Sequence, residues 1–144
     1  MTGATVPTPT NDASAFMGYW KITQMEVWAL DYFDLVVPGF IEFRYEETQV
    51  MGTFQFGTVA GWLDCRLRDM DGVTHLEWSW QGQSDSDPGC GRGWAALVND
   101  ALVGRVFIHS GDDSAFTATK RPRPAERPTR ARRRSEPSTA SRYH

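Results

Sequence analysis

The sequence has little in it that commits the chain to a particular chemistry. Only two cysteines occur among its 144 residues, Cys65 and Cys90. Two thiols make no disulfide framework, and with no export signal in view they read as reduced. No apolar run approaches the ~18 residues of a membrane-spanning helix, so no membrane role is expected. The first fifteen residues hold neither a basic segment nor an apolar stretch, which is not the pattern of a secretory leader. A cytoplasmic location is the expectation. No serine stands in a G-x-S-x-G context, so the hydrolase elbow is missing. No pair of histidines has metal-ligand spacing, and no cofactor or metal is implied.

Positive charge is scarce where the chain is patterned. Residues 1–119 hold six Lys/Arg against sixteen Asp/Glu, a net of -10, while residues 120–144 carry a net of +7. An acidic domain is a poor match for phosphate backbones, which need clustered cations. Nucleic acid is therefore expected to meet at most the basic tail, non-specifically.

The two ends lack apolar periodicity. Residues 1–14 are mostly Thr, Ala, Pro and Asn, and residues 122–144 are mostly Arg, Pro, Ala and Ser. Neither can bury enough apolar area to offset ordering entropy, so both are expected to be disordered. One domain, residues 15–121, remains between them.

Within it the apolar period is two. Ile41, Phe43 and Tyr45 alternate with Glu42 and Arg44. Leu63, Cys65 and Leu67 alternate with Trp62, Asp64 and Arg66. Leu76, Trp78 and Trp80 alternate with Glu77 and Ser79, and Val106 and Ile108 with Phe107 and His109. Such alternation marks half-buried strands. Asp71-Gly72, Asn99-Asp100 and Ser110-Gly111 supply turn chemistry at short spacing. The class is all-β: one antiparallel meander of seven or eight strands, closing into a small barrel or half-barrel to hide its edges. An open two-layer sandwich is the alternative. One short helix is expected within Ala29–Val37, ended by Pro38-Gly39.

Two resemblances follow from particular residues. Gly18-Tyr19-Trp20 resembles the G-x-W opening of lipocalins and fatty-acid-binding proteins. That resemblance implies a Trp20 plugging one end of a barrel, covered by a basic residue of the last strand, Lys120 or Arg121. Trp20 to Trp28, Phe54-Gln55-Phe56-Gly57, Gly91-Arg92-Gly93-Trp94-Ala95 and Ile108 to Ser114 together resemble a family of small uncharacterised bacterial β proteins, which implies a domain boundary near Lys120 but no activity.

Candidate sites are few. Asp85-Ser86-Asp87 resembles the start of a Ca²⁺ loop, but twelfth in that count stands Ala96, not the bidentate Glu such a loop needs. His109 with Asp112 and Asp113 reads better as turn chemistry than as a catalytic or metal group. Cys65 falls among core positions and Cys90 between glycines. The stretch Gln83–Gly93 is the longest without a pattern and is expected to be a loop, the usual place for binding groups on a rigid sheet. It offers Asp85, Asp87 and Arg92, with Trp80 and Trp94 as an apolar wall. The interior is expected to be filled or nearly filled by apolar side chains. The functional expectation is a non-enzymatic binding domain of lipocalin-like character, for a small ligand or a partner. The alternatives are a protein-interaction module using the exposed aromatics Trp62 and Trp94, and an enzyme with carboxylate chemistry at Asp64 and Glu77.

Overall fold

A computed structural model describes residues 13–125. Its strands are β1 (Gly18–Met25), β2 (Phe40–Glu46), β3 (Gln49–Phe56), β4 (Val59–Met70), β5 (Val73–Ser84), β6 (Asp87–Val98), β7 (Ala101–Ile108) and β8 (Asp113–Arg121). Each pairs antiparallel with the next, and β8 returns to β1 through Tyr19↔Arg121 to Met25↔Phe116. The meander is a closed eight-stranded barrel, so no sheet edge is left open. The expectation for the two ends falls largely outside the described residues. Ala13, within the stretch read as the head, is fully buried, and its N–H donates to Tyr45 Oη at 3.0 Å.

The two ends of the barrel are capped by different devices. A 3-10 turn at Ser14–Phe16 carries Phe16 into one mouth, edge-on to Phe43. Trp20 lies beneath, its Nε1 donating to the Phe16 carbonyl at 2.8 Å. The other mouth is covered by α1 (Leu30–Phe33), a single turn inside the Ala29–Val37 stretch where a short helix is expected. Asp34 explains where it stops. Its carboxylate accepts from the Gly39 N–H and from Lys21 Nζ, both at 2.8 Å, which pulls the chain out of the helix. Trp28 packs on Phe56 at the same mouth, ring centroids 4.9 Å apart.

The stretch Gln83–Gly93 is not a loop. Asp85 and Ser86 form a two-residue turn, both with positive φ (54° and 74°), as a tight hairpin requires. Residues on either side continue β5 and β6 in unbroken register from Ser84↔Asp87 to His75↔Ala96. The alternation was obscured because the inward positions of β6 are glycines. A Cβ on Gly93 would sit 2.3 Å from Trp78 Nε1, and one on Gly91 2.6 Å from Trp80 Nε1. The space that β6 leaves empty is filled by two indoles from β5.

That substitution fills the barrel. Phe43 packs on Trp78 and Phe54 on Trp80, with centroids 5.7 and 5.1 Å apart. The residual void is about 10 Å³, walled by Ile22, Ile41, Phe54, Trp78, Val106 and Phe116 among others. That is room for one water molecule at most. Trp80 Nε1 donates to the Phe107 carbonyl at 3.0 Å. Trp78 Nε1 is the one buried side-chain polar atom without a partner among the described residues.

Candidate functional site

With the interior filled, substantial depressions lie on the surface. The outer face of β3 to β6 is ordered into cross-strand rows by the register. One row runs Thr53↔Trp62↔Gln81↔Cys90. His109 continues it, its backbone N–H donating to the Cys90 carbonyl at 2.8 Å. The adjacent row runs Phe40↔Gln55↔Ala60↔Gln83↔Pro88.

Trp62 dominates this face. It is 57% exposed, an unusual position for an indole in a strand. Two open depressions meet at it. One, of about 330 Å³, is lined by Phe40, Thr53, Gln55, Ala60, Trp62 and Gln83 with the intervening glycines. The other, of about 480 Å³, is lined by Trp62, Gln81, Pro88, Cys90 and His109 with Gly82 and Gly89. Both volumes fall within the range of small-ligand sites. Between the two rows Gly61, Gly82 and Gly89 are paired directly across three strands, at positions that face the interior. At Gly82 a Cβ would fall 1.9 Å from the Ala60 carbonyl oxygen, so a side chain there would force the strands apart. Phe40 is held from behind by Tyr19, stacked at 5.4 Å.

The five residues singled out from the sequence are not gathered around one depression. Trp80 and Arg92 share a third, of about 360 Å³, with Phe107 and His109. Asp85 lies in the hairpin turn, where its carboxylate accepts from the Thr58 hydroxyl at 2.5 Å. Asp87 opens β6 beside it. Trp94 stands four residues beyond Cys90, about 13 Å along the strand, against the His75 ring at 5.3 Å. Gln81, Gln83, Thr53 and Trp62 itself were not among the five. An aromatic out of phase with the apolar alternation was the sequence signal for Trp62, and it says nothing of the amides beside it.

The remaining chemical groups are dispersed. Asp64 pairs with Arg66 at 2.9 Å and Glu77 with Arg68 at 3.5 Å, each facing outward. Asp113 is held by Arg105, which also reaches Glu26 at 2.9 Å. These contacts raise the Arg105 pKa, with the Asp113 hydrogen bond the largest cause. No group of three or more metal-binding side chains occurs among the described residues. Cys65 is buried and Cys90 exposed, both as free thiols. No described helix is long and apolar enough to cross a membrane. No protein-family model and no curated protein matches this chain in sequence, so its fold and surface carry the functional reading.

Proposed function

We propose that this chain is a non-enzymatic binding domain of lipocalin-like barrel character that binds on its outer face, around Trp62, rather than in its interior. The observation that carries this reading is the contrast in space. The interior retains about 10 Å³, whereas the depressions that meet at Trp62 measure about 330 and 480 Å³. The lipocalin-like character is supported by Trp20 at one mouth with Lys120 of the last strand against its ring. A tryptophan left in water on a rigid strand exposes apolar area with no role in the core, which favours a role in contact.

A protein partner is the second reading. It is favoured by Phe107, a second aromatic of the outer face, 37% exposed in the third depression.

The test is a fluorescence titration of the full chain with a library of small aromatic and polyhydroxylated fragments. Fragments that alter the tryptophan emission should lose that effect in Trp62→Ala and keep it in Trp94→Ala. A response undiminished by Trp62→Ala would overturn the outer-face reading.

A further inference from the structure

We propose that the surface around Trp62 takes a neutral saccharide chain, with Trp62 as its stacking platform. This deepens the outer-face reading above and rests on it. Three observations lead to the ligand class.

The first is charge. Neither depression that meets at Trp62 is lined by a single Asp, Glu, Lys or Arg. Elsewhere the outer rows of the same strands carry Arg44, Asp64, Arg66, Glu77 and Arg92. A strip whose lining holds His109 but no Lys or Arg gives an anionic ligand no permanent cation to pair with, and a phosphate backbone no patch to follow.

The second is the kind of polar group present. Thr53, Gln55, Gln81 and Gln83 supply hydroxyl and amide groups. Each amide presents two donors and one carbonyl acceptor, a set that can pair with neighbouring hydroxyls acting as both donor and acceptor. Gln55 already donates to the Gly57 carbonyl, at a long 3.3 Å. The side chains of Gln81 and Gln83 extend into solvent and remain available.

The third is shape. The indole offers a flat π surface of negative potential. The axial C–H groups on one face of a pyranose ring are apolar and slightly positive, and match it. Depressions on both flanks of Trp62 suit an oligomer lying across the strands better than a single ring. Phe40, backed by Tyr19 at 5.4 Å, gives a second aromatic wall at one end. A buried lipid chain would need an enclosed apolar cavity, and the interior has none of useful size. A peptide strand would need an open sheet edge, and the closed barrel offers none.

The experiment is a titration of the full chain with cellohexaose, xylohexaose and the hexamer of N-acetylglucosamine. A galacturonate oligomer and a proline-rich peptide serve as comparators. Binding is followed by NMR of the Trp62 indole N–H and the Gln81 and Gln83 side-chain amides. At least one neutral oligomer should bind at millimolar concentration or tighter, with an affinity that changes less than about twofold when salt is raised. Trp62→Ala should weaken it roughly tenfold or more, as loss of a central aromatic anchor does. Trp62→Phe, which keeps a stacking ring, should recover part of that loss. Trp62 lies at the surface, so both variants are expected to fold, which an unchanged backbone spectrum checks.

The saccharide class is overturned if no neutral oligomer moves these signals at millimolar concentration. It is overturned equally if only the proline-rich peptide moves them, or if the galacturonate binds more tightly and is displaced by salt. In the peptide and galacturonate outcomes the outer-face reading survives. If instead the oligomers shift only Trp78 and its neighbours inside the barrel, both readings fall together.

Discussion

The Lys120 ammonium lies 5.2 Å from the centroid of the Trp20 ring, tying the last strand of the barrel to the first. The same Nζ donates to the Met17 carbonyl at 2.5 Å, and the Trp20 indole is 2% exposed. Closure at this mouth therefore depends on a buried aromatic that carries its own hydrogen bond and on a cation above it.

Replacing Trp20 by Ala should cost about 3–5 kcal/mol, the range for deleting a large buried aromatic. Lys120→Met should cost less, about 0.5–1 kcal/mol, as for an exposed cation over a ring. Urea unfolding measures both. A loss below about 1 kcal/mol for Trp20→Ala would place the ring outside the core.

Gly93→Ala should destabilise the barrel by about 1–3 kcal/mol through overpacking. The added methyl would meet the Trp78 indole at 2.3 Å, and that indole is itself buried with little room to retreat. Gly72→Ala is the matched control for space, since no atom lies within 4 Å of a Cβ there, although its positive φ of 81° adds backbone strain of a different origin. Crystal structures of the two variants distinguish the causes: a displaced Trp78 in Gly93→Ala, an unmoved core in Gly72→Ala.

The two thiols should differ in reactivity. Burial pushes the Cys65 pKa up to about 12, with Asp64 adding to the effect, while Cys90 is exposed. Because the thiolate is the nucleophile, a thiol probe at neutral pH should label Cys90 quickly and Cys65 only as the chain unfolds. Rapid labelling of both in native protein would mean that Cys65 does not face the interior.

The raised Cys65 pKa also ties stability to alkaline pH. The folded chain retains a proton that the unfolded chain loses near its ordinary value of 9.0. This contribution is complete below that pH and is lost as pH rises towards about 12, at no more than about 1.4 kcal/mol per pH unit. Unfolding free energies of the native sequence and of Cys65→Ala should therefore converge as pH rises above 9. A constant difference across that range would contradict it.

The strands were legible where inward side chains existed to show the period. Ile41 and Phe43, Leu63 and Cys65, and Leu76, Trp78 and Trp80 declare their faces, and all are buried. β6 was not legible from Asp87 to Gly93. There the inward residues are Gly89, Gly91 and Gly93, and the matching volume is supplied from across the sheet by Trp78 and Trp80. Packing of this kind is a relation between two strands, and neither strand carries its signature alone. The surface around Trp62 was illegible for a related reason. Thr53, Trp62, Gln81, Cys90 and His109 are far apart in sequence, and only the register of four strands, with the His109 N–H bond to Cys90, places them in one row.

The central claim, a filled barrel that binds on its outer face, is tested most directly through the six tryptophan indole N–H signals. They report from both sides of the wall: Trp78 from the interior, Trp62 from the outside. The full chain, titrated with mixtures of small fragments and separately with a saturated fatty acid, should show shifts at the Trp62 indole with fragments. The Trp78 signal should stay unmoved by either. A fatty acid or fragment that moved Trp78 and left Trp62 in place would contradict the claim and put the binding site inside the barrel.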